Sequence, residues 1–183
     1  MNTCLLLVDL QNDYFPGGRM ELVAIEEAAS NARLLLEEFR RTGSPVIHIQ
    51  HVAARPGATF FLPDTDGARI NRIVAPRDGE PVIVKNYPNS FRDTSLLATL
   101  KEQEIGTLVI CGAMSHMCID ATTRAAFDLG FACMVADDAC ATRDVSFRGM
   151  TVRAAEVHAS FMAALSVPYA TVIATREIIE GKS

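Results

Sequence analysis

Three polar residues stand where three apolar runs of the sequence end, and their side chains could together perform nucleophilic chemistry. Asp9 follows CLLLV, Lys85 follows PVIV, and Cys118 lies in the turn GAMSHMCID after TLVIC. The thiolate of a cysteine is its nucleophilic form; a lysine cation and a helix N-terminus both favour it, and a carboxylate can carry the proton. Taken singly, Lys85 is best explained as a solvated side chain, while Asp9 could cap a turn and Cys118 could belong to the core. Together they predict a covalent catalytic site, provided that the three runs are neighbouring strands.

The elements that would position these residues alternate along the chain, because short apolar runs are separated by stretches with helical periodicity. Continuous apolar strands separated by helices are typical of a parallel sheet covered on both faces. We therefore predict a single α/β domain over residues 1–183, with three α/β/α layers and a six-stranded parallel sheet. Ligands of such sheets bind beyond the carboxyl ends of the strands. The predicted strands are 4–9, 45–52, 81–85, 107–111, 131–137 and 169–175, and the predicted helices are 22–43, 94–106, 118–130, 146–165 and a short C-terminal helix.

Composition excludes several classes of function. The chain of 183 residues is 49% hydrophobic and carries a net charge of −5 without a Lys/Arg cluster, so nucleic acid and anionic membrane surfaces are not expected partners. The start, MNTCLLLVDLQNDY, has no basic region before its apolar run and predicts a strand rather than a signal peptide, which makes the cytoplasm the default location. Five cysteines without CxxC spacing predict neither a disulfide framework nor a zinc cluster.

Three segments resemble the signature segments of the isochorismatase-like cysteine hydrolases, and they occur in the order found in that family. They are DLQNDYFPGG (9–18), VIVKNYPNSF (82–91) and CGAMSHMCIDATTRAA (111–126). The resemblance implies the six-stranded parallel fold of the family and a catalytic triad of Asp9, Lys85 and Cys118. It also implies a cis peptide bond between Ala113 and Met114, with the N–H groups of Met114 and Cys118 forming an oxyanion hole.

Four other residues are candidates for contacting a substrate. Tyr14 stands where the family places an aromatic pocket residue, Gln50 ends the second strand, and Tyr87 lies near Lys85. His116 lies in the turn, where it could contact substrate or orient the turn. The long segment 53–80 is expected to carry function, as long loops of compact domains often do, and Phe60 and Phe61 in it could form a pocket wall or reach a neighbouring subunit. By resemblance we expect a homo-oligomer, a dimer or a tetramer.

The function implied by the resemblance is hydrolysis of a C–N bond in a small amide, carbamoyl or ureido compound through a thioester. Asp9 would take the Cys118 proton, protonate the leaving nitrogen and then activate water. Family members that cleave the vinyl ether of isochorismate lack the nucleophilic cysteine, so the presence of Cys118 favours amide chemistry. The choice among streptothricin hydrolase, nicotinamidase and N-carbamoylsarcosine amidohydrolase activities stays open. The alternative is a thiol-based redox or ligand-binding protein without turnover, which would have no use for Asp9 as a proton carrier.

No metal or cofactor is expected. Nicotinamidases of the family hold a metal with an Asp-x-His pair at the end of the second strand and with further histidines in the loop that follows. In this sequence Gln50 and Val52 occupy the positions of that pair, and residues 53–80 contain no histidine. His48 and His51 are three residues apart in a predicted strand and would point to opposite faces of the sheet. We therefore expect nicotinamide to be a poor substrate.

Overall fold

A computed structural model of the protein describes residues 2–181, in which six strands form one parallel sheet in the order β3-β2-β1-β4-β5-β8. The predicted α/β class and six-stranded parallel sheet are confirmed. No helix among the described residues is both long enough and apolar enough to span a bilayer. The strands are β1 (Asn2–Val8), β2 (Val46–His51), β3 (Val82–Lys85), β4 (Ile105–Ala113), β5 (Ala132–Ala141), β6 (Val145–Phe147), β7 (Met150–Val152) and β8 (Thr171–Ile173), and the helices are α1 (Ile25–Thr42), α2 (Leu96–Glu102), α3 (Asp120–Asp128), α4 (Ala154–Leu165) and α5 (Thr175–Ile179).

The chain begins in the middle of the sheet, and the strand order reverses on either side of β1. Strand β1 pairs in parallel with β2 on one side and with β4 on the other, so that Val8 lies opposite Ile49 and Gly112. At such a reversal point the connections leave the sheet in opposite directions, which opens a crevice beyond the carboxyl ends of the strands. The polar residues that follow β1, β2, β3 and β4 therefore gather at one edge.

Both faces of the central strands β1 and β4 are buried, which explains why these strands are continuous apolar runs. Helix α1 packs on one face with an apolar stripe spaced three and four residues apart, and it ends at Gly43, whose φ of 68° is the left-handed conformation common after a helix. On the other face, Leu6, Val8 and Ile49 belong to a second apolar cluster together with residues of α2, α3 and α4. The polar edge is thus supported by packed apolar layers on both sides.

The predicted helix 146–165 is wrong in its first third. Residues 145–152 form an antiparallel hairpin of β6 and β7, and α4 begins only at Ala154. Arg148 and Gly149 make the turn with φ values of 51° and 79°, the pair of positive angles that a tight I′ hairpin turn requires. Phe147 and Met150 flank this turn at helical spacing, which is why the apolar pattern resembled a helix.

Other boundaries differ by a few residues. Strands β4 and β5 are longer than predicted, and β8 is shorter. The predicted helix 118–130 is divided into a π-helical turn, Ser115–Ile119, and α3. Helices α1 and α2 begin later than predicted and end one and four residues earlier.

Gly112 is the position of the sheet where a side chain would do the most damage. Its φ is +126°, and a Cβ built there would overlap the carbonyl oxygen of Val8, the residue before Asp9. We expect Gly112→Ala to lower the free energy of unfolding by about 3 kcal/mol, because neither backbone can move without breaking the ladder between β1 and β4. Urea denaturation measures this loss.

The matched control is Gly149→Ala. Gly149 also has a positive φ, of 79°, but a Cβ there would meet nothing within 4 Å, so only the backbone cost of about 1 kcal/mol is expected. Equal losses of stability in the two variants would show that crowding at Val8 is not the cause.

Candidate active site

Asp9 and Lys85 form a buried ion pair at the polar edge. Asp9 follows β1 with a left-handed φ of 54° and donates its backbone N–H to Ile49, while its Oδ2 lies 2.9 Å from Lys85 Nζ, both side chains being 0% exposed. The ammonium also donates to the carbonyl of Pro88 at 2.9 Å. Burial by itself lowers the pKa of Lys85, but the neighbouring Asp9 carboxylate and Cys118 raise it overall. Lys85 is therefore a cation at neutral pH.

The turn after β4 carries Cys118 to this pair. The peptide bond between Ala113 and Met114 is cis, as the resemblance implied, and a π-helical turn follows in which the Ile119 N–H donates to the Met114 carbonyl at 3.2 Å. Helix α3 then leads away from the site. As a result, Cys118 Sγ lies within 4.8 Å of an Asp9 carboxylate oxygen, and both Asp9 and Lys85 affect the pKa of its thiol.

The expectation that Cys118 has a lowered pKa is wrong. Burial raises the pKa of its thiol, the Asp9 carboxylate raises it further, and Lys85 only partly opposes the two. Apart from the ion pair with Lys85, no hydrogen bond from a described residue reaches either carboxylate oxygen of Asp9. The free protein therefore holds a thiol at neutral pH, with a carboxylate beside it that can take the proton.

His51, at the end of β2, is a third neighbour of this carboxylate and thiol. One ring nitrogen of His51, one Asp9 carboxylate oxygen and Cys118 Sγ all lie within 4.8 Å of one another. Gln11 fixes the His51 backbone from both sides, accepting its N–H at 2.7 Å and donating to its carbonyl at 2.8 Å. From the sequence, His51 was considered only as a metal ligand and was not predicted to be a site residue. Its position at the carboxyl end of a strand was the signal that could have identified it.

The same three atoms are the one group among residues 2–181 with the spacing to hold a metal ion. Lys85 Nζ already lies 2.9 Å from the Asp9 carboxylate, and two cations at this buried position would repel each other strongly. His48 cannot contribute, since it lies on the other face of β2 with its ring 3.1 Å from Glu80. The arrangement of these residues favours a reaction that needs no metal ion.

We accordingly expect a chelator such as EDTA to leave hydrolytic activity unchanged, within about 20% of the untreated rate, because Lys85 supplies the positive charge that a metal would bring. The measurement is activity after dialysis against the chelator, together with elemental analysis. Loss of activity that zinc, iron or manganese restores would contradict this prediction and would favour a nicotinamidase-like site.

A cavity of about 320 Å³ opens above His51. Its walls include Arg55, Phe60, Phe61, Tyr87 and Met117, the neighbour of Cys118. Most of these residues belong to the long segment 53–80, which therefore covers the site, as its length suggested.

Of the four predicted substrate contacts, one lines the cavity, and a second, Tyr14, is buried behind the cavity wall. Tyr87 lines the cavity with the Arg92 guanidinium 3.6 Å above its ring, and Tyr14 packs under Phe61 with ring centroids 4.6 Å apart. Burial raises the pKa of Tyr14 well above its ordinary value, and the nearby Cys118 and Asp9 raise it further, so the phenol faces them in its neutral form.

The other two predicted contacts, Gln50 and His116, do not line the cavity. Gln50 donates its Nε2 to the Ala68 carbonyl at 2.7 Å and holds the long segment from the other face of β2. His116 Nδ1 lies 2.6 Å from Thr142 Oγ1, so its ring joins the turn to the end of β5. Both side chains support the site from outside, and this matches the alternative role given to His116.

The residues after Asp9 clamp the long segment over the cavity. Gln11 Nε2 donates to the Ala68 carbonyl at 2.7 Å, and the buried Asp13 carboxylate accepts the Phe61 N–H at 2.6 Å. Asn12 adds hydrogen bonds to the same segment. Sequence analysis did not assign these roles, because the partners are backbone groups about 50 residues away.

A model of the isochorismatase domain matches residues 3–176 of the chain. The uncharacterized isochorismatase family protein YddQ of Bacillus subtilis is 49% identical over 180 residues, covering 98% of this chain and all of that protein. The crystal structure of a putative isochorismatase hydrolase from Oleispira antarctica superposes with a TM-score of 0.95 at 53% identity, covering 98% of this chain and 97% of that one. An N-carbamoylsarcosine amidase of Arthrobacter is 30% identical over 141 residues, covering 68% of this chain and 53% of that protein.

Fold and site together define a hydrolase of three α/β/α layers with a buried cysteine at the centre of its polar edge. The chain belongs to the isochorismatase family.

Proposed function

We propose that this protein hydrolyses the C–N bond of a small amide, carbamoyl or ureido compound through a thioester on Cys118. The observation that carries the proposal is one buried thiol within 4.8 Å of a carboxylate that is itself paired with an ammonium at 2.9 Å. The amidase named above, which belongs to the same set of relatives, supports the choice of bond. The raised pKa of Cys118 opposes the alternative of a redox thiol, since thiols that sense oxidants are ionised near neutral pH.

Acylation begins with transfer of the Cys118 proton to Asp9. Sγ attacks the substrate carbonyl carbon, a C–S bond forms, and the carbonyl electron pair moves to oxygen, where the N–H groups of Met114 and Cys118 stabilise it. When the oxygen pair returns, the C–N bond breaks and Asp9 gives its proton to the leaving nitrogen. Lys85 stabilises the negative charge that stays among these groups throughout the step.

The size and charge of the cavity restrict the substrate. A volume of about 320 Å³ suits a small molecule, and the aromatic walls favour a planar group. Arg55 lines the cavity, and Arg143 is exposed near Tyr14 and His116, where it affects the pKa of both side chains and forms no ion pair with a described residue. The guanidinium of Arg55 in the cavity wall favours a substrate that carries a carboxylate beside its amide, and Arg143 adds positive charge next to Tyr14 and His116.

The test is ammonia or amine release from a panel of primary amides, carbamoyl amino acids and ureido acids, each with a matched analogue that lacks the carboxylate. We expect release from at least one class, faster for the carboxylate-bearing member of each pair. The Cys118→Ala variant controls for contaminating amidases. If a protein whose Cys118 is reactive in every chain releases neither ammonia nor amine from any compound of the panel, the proposed function is rejected.

A further inference from the structure

The four histidines of the chain differ in how their rings are engaged. His48 is held by Glu80 at 3.1 Å, His116 by Thr142 at 2.6 Å, and His158 by Ser115 at 2.9 Å. Within residues 2–181, no side-chain hydrogen bond reaches the ring of His51, which instead lines the cavity and has a nitrogen within 4.8 Å of the thiol sulfur. Three of the imidazoles therefore fasten parts of the structure, while the nitrogens of the fourth are available to a bound molecule.

His51 and Asp9 both lie close to Cys118, but only His51 lines the cavity. Asp9 is 0% exposed and its carboxylate is paired with Lys85, whereas His51 is half-buried and lines the cavity. Water that attacks a thioester must come from the cavity, because Asp9 is 0% exposed and Cys118 is 4% exposed, so neither is open to solvent on another side. Asp9 is well placed to take the thiol proton and badly placed to take a proton from this water.

The distance from His51 to Sγ leaves room for that water. A ring nitrogen lies within 4.8 Å of Sγ. A carbonyl carbon bonded to sulfur would be attacked by a water roughly 3 Å away, and the same water can be within about 3 Å of the imidazole nitrogen, as general-base catalysis requires. Gln11 holds the His51 backbone with two hydrogen bonds, and the ring packs near Phe61 with ring centroids 5.8 Å apart.

We propose that His51 is a catalytic residue of the second half-reaction, in which it removes a proton from the water that hydrolyses the Cys118 thioester. This proposal rests on the proposed function and reassigns to His51 the activation of water that sequence analysis gave to Asp9.

Hydrolysis of the Cys118 thioester begins with the attack of water. A water oxygen forms a bond to the thioester carbon while one of its protons moves to His51, and the carbonyl electron pair goes to oxygen. Return of that pair breaks the C–S bond and leaves the electrons on Cys118 Sγ, releasing a carboxylic acid. The proton on His51 then passes to the thiolate, which restores the thiol and the neutral imidazole.

The charges around His51 suit a base at neutral pH. Burial lowers its pKa below the ordinary value of 6.5, Lys85 and Arg55 lower it further, and Asp9 opposes them. Cys118 on the turn is the other titratable group that faces it. Because the neutral form is the active one, deacylation should proceed above this pKa and fail as pH falls through it.

His51→Asn is the test, with His48→Asn as the matched control on the opposite face of the same strand. The substrate is the compound of the panel that releases ammonia or amine fastest. For His51→Asn we expect one equivalent of amine per active site in the first turnover, then a steady-state rate 10²- to 10⁴-fold below that of the unchanged protein. Intact-protein mass spectrometry should find an acyl group on Cys118 that the unchanged protein does not accumulate.

Two further readouts separate this role from a structural one. Hydroxylamine attacks a thioester without a general base, so it should restore turnover in His51→Asn. The acidic limb of the pH profile for deacylation should be absent from that variant and present in His48→Asn. A steady-state rate within threefold of the unchanged protein, or loss of the first-turnover burst, would overturn the role of His51. Failure of the unchanged protein to release amine from any compound would instead reject the function on which the proposal rests.

Discussion

Cys118→Ala is expected to abolish amide hydrolysis, with a loss of about 10⁴-fold or more in steady-state rate, while the fold stays intact. No other group can form the covalent bond to the acyl carbon, and water alone must then attack an unactivated amide. Alanine at this buried position removes one sulfur atom and costs about 1 kcal/mol of stability. Ammonia or amine release measures the activity, and circular dichroism with urea denaturation measures the fold.

Cys140→Ala is the matched control. Cys140 is also a free, buried cysteine, and burial raises the pKa of its thiol to about 12, but it lies on β5 with no lysine beside it. We expect this variant to keep its activity. A folded Cys118→Ala protein with more than a few per cent of the original rate would remove Cys118 as the nucleophile.

The sequence was sufficient to predict the sheet and the edge where Asp9, Lys85 and Cys118 meet. Apolar runs buried on both faces can be recognised locally, and the parallel arrangement then places the end of each run at the same edge. The resemblance added the cis peptide bond at Ala113, which no local pattern indicates.

What could not be predicted depends on contacts between distant residues. Gln50 ends its strand as a pocket residue would, yet it donates to Ala68, a partner that becomes its neighbour only when the long segment folds back. The hairpin around Gly149 was missed because its two exposed apolar residues also fit a helix.

The pKa of Cys118 was mispredicted for a different reason. A lysine and a helix start can be recognised in a sequence, but the depth of burial cannot, and here desolvation outweighs the lysine. We therefore expect the reaction to depend on Asp9 taking the proton rather than on a thiolate formed beforehand.

Lys85→Met is expected to lower the free energy of unfolding by about 3–5 kcal/mol and to reduce the rate of acylation. Methionine fits the space of the lysine stem, but the variant leaves the Asp9 carboxylate at 0% exposure without its cation. Removal of one partner of a buried ion pair lowers stability strongly, because the remaining charge is buried without compensation. Urea denaturation at neutral pH gives the stability, and the first-turnover burst gives the acylation rate.

The double variant Asp9→Asn/Lys85→Met separates charge from packing. Because it removes both charges, it should recover most of the stability that Lys85→Met loses, while acylation stays absent for want of a base. Equal losses in the single and double variants would show that the stem of Lys85 stabilises the fold by packing and that the ion pair does not.

The pH dependence gives an independent check on the same pair. The pKa of Lys85 is raised above its ordinary value of 10.5 in the folded protein, so its pairing contributes in full below about pH 10.5 and is lost as pH rises through the folded value. The difference in unfolding free energy between the unchanged protein and Lys85→Met should therefore be constant from pH 7 to 10 and shrink in more alkaline solution. A difference that shrank between pH 7 and 9 would mean that Lys85 loses its proton near neutrality, and the ammonium could not then stabilise the thiolate of Cys118 during acylation.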